Sequence, residues 1–417
     1  MTRVVIPSRK WIQGGTVITP EETIPNGTVV VEGEKIVYVG SREDAPSELL
    51  TGAELVEAGA YTIVPGYVDV HVHGGGGADA LDGTPEAIMT VARAHARQGT
   101  TSFLVTAATA SAEDFRRTAR SVLEVMQAQA AGGAPAAADV VGMHLEGPFL
   151  APSRKGAQNE KFIRAVDERE LEELLALLGT SFRMMTVAPD APGGLAGIRW
   201  LVRHGIVASI GHTDASFELT KAAVALGANH ATHTFNAMRG LHHRDPGTVG
   251  AVLTSPGVFC ELIADGIHVH PGAMRLVYEA KGADRLVLVT DALSAMGRPD
   301  GTYELAGKTV VVKGGVARLE TGELAGSTLS MGQAVANLVR RVGVSLAEAV
   351  RAASLTPARS IGLDDRKGSL APGKDADLLL LNPELAVARV MIRGTWLETG
   401  NEVKEDGKED KNENNGG

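Results

Sequence analysis

Cysteine is nearly absent from this chain. Cys260 stands alone among 417 residues, so no intramolecular disulfide can form, and nothing points to an oxidising compartment. There is also no apolar run of about 18 residues, the length a membrane span requires. The first ten residues lack the apolar core of a signal peptide. Positive charge is in deficit: 40 Lys and Arg against 50 Asp and Glu leave a net charge of −10. That balance argues against a nucleic acid or an anionic membrane as partner. A soluble cytoplasmic enzyme is the expectation these absences leave.

At 417 residues the chain is too long for one small domain and suits a large barrel with an accessory unit. Glycine, at 50 residues, fits many tight turns between strands and helices. Residues 28–40 read as two strands joined by a tight turn near Gly33. A second strand-rich piece lies at 368–397. Neither piece has enough strands for a core of its own, so the two are expected to pair into one small β-sandwich domain, 1–62 with 365–400. Between them, at 63–364, strand and helix patterns alternate. Eight apolar runs end at Val72, Ala107, Leu145, Val187, Ile210, Thr234, Ala264 and Val289. Helical patterns fall at 85–98, 112–129, 168–178, 195–204, 218–226, 273–281 and 331–342, with the unit after the sixth strand the shortest. The expected fold class is α/β, a (β/α)8 TIM barrel. Residues 401–417 have no apolar pattern and are expected to form a disordered charged tail.

The residue types that bind metals fall at the ends of these strands. His71 and His73 are two apart, so on a strand both rings enter the same face. His144 and Glu146 repeat that spacing on the third strand. His212 closes the fifth, His233 the sixth, and Asp291 follows the eighth. A single buried histidine is usually a satisfied core residue, and Asp291 alone could cap a helix. The joint pattern is different, because structural histidines have no reason to collect at strand ends, where barrel active sites lie. Imidazole and carboxylate ligands suit Zn²⁺ first, and also Fe²⁺, Co²⁺ or Mn²⁺. An ionised Glu146 buried at a barrel mouth needs such a partner. Asp291 is placed to accept a proton from water and later deliver one to a leaving group. His230, three residues before His233, should face away.

These segments resemble the amidohydrolase superfamily, and within it the N-acetylglucosamine-6-phosphate deacetylases. The resemblance rests on Pro65-Gly-Tyr-Val-Asp-Val-His-Val-His-Gly74, His144-Leu-Glu-Gly-Pro-Phe149, Gly211-His-Thr-Asp-Ala215, Thr232-His-Thr-Phe-Asn-Ala-Met238, Ala264-Asp-Gly-Ile-His268 and Val289-Thr-Asp-Ala292. It implies metal-dependent hydrolysis of the 2-acetamido group of a 6-phosphosugar. Glu146, His212 and His233 would hold the principal ion, and His71 and His73, with Glu146, a second, giving two ions per subunit. Asp291 would be the general base and then acid. His268 would contact the sugar, and Asn236 with the Ala237 backbone the phosphate. Arg244 would reach the phosphate in a neighbouring subunit's active site, which implies a homodimer.

Two departures stand out. Gln158 replaces a substrate-contacting histidine, so it can hydrogen-bond but carries no charge. The fourth strand, 183–187, has no lysine to bridge two ions, so Glu146 must serve. Rival readings are an N-acetylgalactosamine-6-phosphate deacetylase, another amidohydrolase such as a deaminase or cyclic amidase, and a catalytically silent barrel scaffold.

Overall fold

The computed structural model describes residues 9–132 and 137–397, so the expected tail at 401–417 lies outside the described residues. Eight parallel strands pair in chain order: Tyr67–Val72, Thr100–Ala108, Asp139–Glu146, Phe182–Val187, Val207–Ile210, His230–Ala231, Phe259–Ile263 and Leu286–Val289. The last meets the first through a parallel bridge between Val72 and Ala292 and a bond from Asp291 N–H to His71 O (2.9 Å), which closes the barrel. These strands are buried runs rather than alternating ones; all nine residues of Thr100–Ala108 are buried. Helices on the outer face and side chains in the barrel interior cover both sides, so both faces must be water-free.

The helices begin where short polar side chains can accept the free N–H groups of a first turn. Thr84 caps Pro85–Ala96, Ser111 caps Ala112–Ala130, Ser216 caps Phe217–Ala225 and Ser330 caps Met331–Asn337. The pattern expected to be one helix over 331–342 changes pitch. Its last turn, Leu338–Val342, is a π-helix ended by left-handed Gly343.

The sixth unit differs most from expectation. Its strand stops at Ala231, three residues before Thr234, and its helix is only Gly247–Leu253. His233, Phe235 and Ala237 all adopt positive φ (27°, 82° and 48°). Left-handed residues cannot continue a β-ladder, so the chain leaves the sheet early and winds around the barrel mouth.

A second eight-stranded sheet joins the two ends of the chain. Arg9–Ile18, Thr23–Glu32, Lys35–Ser41, Glu54–Glu57 and Thr62–Pro65 combine with Leu378–Leu381, Val387–Ile392 and Thr395–Trp396. The sheet curls until its outer strand meets the residues leading into Leu378–Leu381, with Ile36 N–H bonded to Lys374 O (2.9 Å) and Ala376 N–H to Glu34 O (2.8 Å). It thereby encloses Ile12, Val29, Val31, Ile63, Leu378 and Leu380. Leu379 and Leu381 point the other way, into the barrel's core. One strand of four leucines thus serves two cores, because successive side chains take opposite faces.

Charges reinforce the same joint. The Lys367 ammonium, buried, lies 2.6 Å from Asp139 of the barrel and 2.7 Å and 3.2 Å from Asp377 and Asp375 of the sheet approach. Burial alone would favour the neutral amine, but the surrounding carboxylates hold its pKa above the usual range.

A three-stranded antiparallel sheet, Gly301–Leu305, Lys308–Lys313 and Val316–Leu319, was not expected. Its signal was present: β-branched runs separated by Ala306-Gly307 and Gly314-Gly315, all four at positive φ as tight hairpins need. It leans over the barrel mouth. Lys308 Nζ donates to Gln158 O (2.7 Å), and Asn159 Nδ2 donates to Ala306 O (3.1 Å).

Candidate active site

Six residues from five barrel strand ends converge at the mouth as two ligand sets, one of Glu146, His212 and His233, the other of His71, His73 and Asp291. All six are buried. Glu146 lies between the sets. Its Oε1 is 3.1 Å from His212 Nε2, 2.9 Å from His233 Nε2 and 3.4 Å from His71 Nε2. Its Oε2 is 3.2 Å from His73 Nε2. Asp291 Oδ1 faces the second set, 3.2 Å from His73 Nε2 and 3.5 Å from His71 Nε2.

The backbone at three of these residues is strained into the left-handed region: φ is 47° at His212, 27° at His233 and 48° at Asp291. Such conformations cost about 1–3 kcal/mol each and persist only where neighbours enforce them. Here each is pinned by hydrogen bonds. Ala151 N–H donates to His212 O (3.0 Å), and Asp291 N–H donates to His71 O (2.9 Å). His233 N–H donates to Glu261 Oε2 (2.9 Å).

The opposite nitrogen of three rings sets their tautomers. His73 Nδ1 donates to Thr106 O (3.2 Å), and His212 Nδ1 donates to Arg154 O (2.8 Å). His71 Nδ1 donates to Glu261 Oε2 (2.9 Å). In the neutral rings, therefore, the Nε2 lone pairs point inward. His71 and His73 place theirs 3.2 Å apart, and His212 and His233 have their Nε2 atoms 3.1 Å apart. Between His71 and His73, whose Nδ1 atoms are both engaged, facing lone pairs at that range repel unless a proton or a metal ion sits among them. The donor set of imidazole and carboxylate therefore fits divalent metal ions.

A family model described as the amidohydrolase family matches residues 62–397. The chain belongs to the amidohydrolase family. An N-acetylgalactosamine-6-phosphate deacetylase of Escherichia coli O157:H7 is 42% identical over 82% of this chain and 89% of its own. An N-acetylglucosamine-6-phosphate deacetylase of Bacillus subtilis is 36% identical over 91% and 94%. Among solved structures, an N-acetyl-D-glucosamine-6-phosphate deacetylase variant from Mycobacterium smegmatis, in complex with N-acetyl-D-glucosamine-6-phosphate, is similar. It superposes with a TM-score of 0.87 at 36% identity, over 94% of this chain and 100% of that one.

The electrostatics of this amidohydrolase site show the same demand for positive charge. Burial lowers the His73 pKa, but Asp291 and Glu146 outweigh it and raise it to about 10. Burial opposes ionisation of Glu146, yet His71 and His212 hold its carboxyl well below the usual range. His144 behaves oppositely. Burial, then His71, lowers it to about 3, so it is neutral. Its ring is held by the hydroxyls of Thr106 (3.3 Å) and Thr186 (2.8 Å), below the ligand sets.

The remaining candidates separate into those that share a cavity with the sets and one that does not. A cavity of about 170 Å³ is lined by His73, Glu146, His212, His233 and Asp291 together with Gln158, Asn236, Ala237 and His268. His268 Nδ1 bonds Asp265 Oδ2 (2.6 Å), leaving its Nε2 free of that bond. Gln158 has both amide ends engaged. Its oxygen accepts from Thr109 N–H (2.7 Å), and its Nε2 donates to Glu146 Oε2. Arg244 is exposed, does not line this cavity, and donates to His243 Nε2 (2.6 Å).

Glu261 carried no signal in the sequence. It is one acid inside an apolar strand, next to the lone Cys260, and nothing in its spacing singles it out. Its carboxylate is fully buried and accepts from His71, from His230 Nε2 (3.1 Å) and from His233 N–H. Burial resists its ionisation, but His71 and His230 keep it well below the usual carboxylate range. His230 belongs to neither ligand set, but it does not face away as strand parity implied: the strand ends at Ala231 and His233 is left-handed, so the parity does not carry through, and the His230 ring meets Glu261 inside the barrel.

Proposed function

We propose that this chain hydrolyses the acetamide of an N-acetylhexosamine 6-phosphate, N-acetylglucosamine-6-phosphate foremost, to the free amine and acetate. The observation that carries this is the convergence of two three-residue ligand sets on the single carboxylate of Glu146 at the mouth of an amidohydrolase barrel. Relatives at 36–42% identity named as deacetylases of N-acetylated 6-phosphosugars support the substrate class.

Glu146, His212 and His233 would hold one divalent cation, Zn²⁺ by donor type, and His71 with His73 and Glu146 a second. Cations bound there supply the positive charge that acidifies water and polarises the amide carbonyl. Asp291 belongs to the second set, 3.2 Å from His73 Nε2 and 3.5 Å from His71 Nε2. His71 and His73 outweigh the effect of burial and hold its carboxyl below the usual range, so it is ionised and able to act as a base. In this reading Asp291 takes a proton from the attacking water and returns it to the sugar nitrogen. The C–N bond breaks to give the neutral amine and acetic acid, and the acid's remaining proton passes to the amine, leaving acetate and an ammonium. His268 orients the sugar ring, and Asn236 and the Ala237 backbone receive the phosphate. Gln158 orients Glu146 and lines the acyl end.

Arg244, exposed on its own subunit, would complete the phosphate site of a partner copy in a homodimer. Guanidinium matches phosphate oxygens with paired hydrogen bonds. No helix among the described residues is long and apolar enough to cross a membrane, and a cytoplasmic location is part of this proposal.

The test is acetate release from N-acetylglucosamine-6-phosphate before and after chelation. Release that stops on chelation and returns with added Zn²⁺ supports the reading. Unchanged release after complete metal removal would overturn it. A second reading, preference for the galactosamine epimer, is favoured by the 42% identical Escherichia coli relative. The ratio of kcat/KM on the two epimers decides between them.

A further inference from the structure

Glu261 touches both ligand sets without belonging to either. Its Oε2 accepts from Nδ1 of His71 (2.9 Å) and also from the backbone N–H of His233 (2.9 Å). Its Oε1 accepts from His230 Nε2 (3.1 Å). The side chain is fully buried, and no lysine or arginine among the described residues forms a salt bridge with it. Three donors therefore define its position and its charge.

We infer that Glu261 is a positioning residue for the metal centre: it selects the His71 tautomer that presents Nε2 to the second ion, and it locks the left-handed backbone of His233 at the first. This rests on the two-ion reading proposed above.

The reasoning is local. Imidazole can ligate through Nε2 only if the proton sits on Nδ1. A carboxylate against Nδ1 fixes it there and makes Nε2 a stronger donor. Without that acceptor the buried ring has no partner for its Nδ1–H, and the Nε2-protonated tautomer becomes competitive. At His233 the backbone N–H would lose its acceptor, and a strained φ of 27° would lose one of its restraints. The larger effect falls on His71, where Glu261 bonds the ring itself. At His233 the ring's Nδ1 has no hydrogen-bond partner, so Glu261 acts there only through the backbone.

Glu261→Gln tests this with nearly unchanged volume. Its one carbonyl oxygen cannot serve all three donors, and its amide is itself a donor. Metal-free wild type and variant are titrated with Co²⁺ and Zn²⁺ against a chromophoric chelator, and the visible Co²⁺ spectrum is recorded at each equivalent. Wild type is expected to take up two ions. The variant should keep one and bind the second about 10–100-fold more weakly, with an altered spectrum for that ion. Glu261→Asp, which keeps the charge but retracts it, should fall between the two and guards against a Gln variant that does not fold. Second-ion affinity equal to wild type in whichever variants fold would overturn the inference. Wild type binding fewer than two ions would instead overturn the two-ion reading beneath it.

Discussion

The chain buries two groups of acids, at opposite ends of the barrel strands, and satisfies them differently. At the base, Asp139, Asp375 and Asp377 surround Lys367. At the mouth, Glu146 and Asp291 face four imidazoles, and no lysine or arginine among the described residues forms a salt bridge with either. The first group carries its cation covalently attached, so it is complete on folding and acts as a joint between barrel and sheet. The second has imidazoles whose Nε2 atoms lie 3.1–3.2 Å apart, and without a metal ion its only positive charge is the protons those rings take up. Buried acids with a resident ammonium mark architecture, whereas buried acids with convergent lone pairs mark a site for an ion from solution.

Removing the shared acid of the mouth should have the largest effect. Glu146→Gln takes charge from both ligand sets at once, so metal content and acetate release should both fall to background. The thermal midpoint of the metal-free protein should fall only modestly, by the stabilisation that His71 and His212 give the ionised carboxylate against the effect of burial. A midpoint that collapsed would show that the mouth is a structural joint too. Asp291→Asn comes next. Turnover should drop about 10²–10⁴-fold, the usual contribution of a general acid–base group, while Glu146, His212 and His233 still bind an ion. Turnover within a few-fold of wild type would remove Asp291 from the proton path.

At the base, Lys367→Met leaves three carboxylates without their ammonium and should cost about 3–5 kcal/mol in denaturant unfolding. Metal stoichiometry should be unchanged, and loss of both together would erase the distinction between the clusters. The smallest effect is a pH dependence. Burial opposes ionisation of Asp375, but Lys367 with Lys35 and Arg366 holds it at about 2. Its contribution is therefore complete above the ordinary carboxylate pKa near 4 and is lost as pH falls toward about 2. Asp375→Asn should flatten the melting curve's pH dependence between pH 4 and pH 2. An unchanged slope would mean that other carboxylates dominate acid unfolding.

Most of the mouth was legible in the sequence because strand ends announce themselves. His71, His73, Glu146, His212, His233 and Asp291 each follow an apolar run, and a parallel barrel brings all such ends together. Glu261 was not legible, because its partners lie 190, 31 and 28 residues away in sequence and its own strand shows only one acid among apolar neighbours. The sixth strand was expected to run too far, since Thr232 and Thr234 suit a strand and the left-handed turns at His233 and Phe235 leave no glycine to betray them. The hairpins over the mouth did carry a turn signal at Ala306-Gly307, but a (β/α)8 alternation offers no place for an antiparallel sheet. The engagement of both ends of Gln158 depends on Thr109 and Glu146 meeting in space, which residue type alone cannot reveal.

The strand of four leucines has a consequence for how the molecule is made. Thr62–Pro65 is hydrogen-bonded to Leu378–Leu381, some three hundred residues later in the chain. On a translating ribosome the amino-terminal strands must wait about 15 to 60 s for that partner. Until it emerges, the inner face of Ile12, Val29 and Ile63 has no lid, and the barrel floor that Leu379 and Leu381 seal stays open to water. A nascent chain cut short before Leu378 should therefore be sticky and a ready client for chaperones, even with every candidate ligand of the barrel mouth already synthesised.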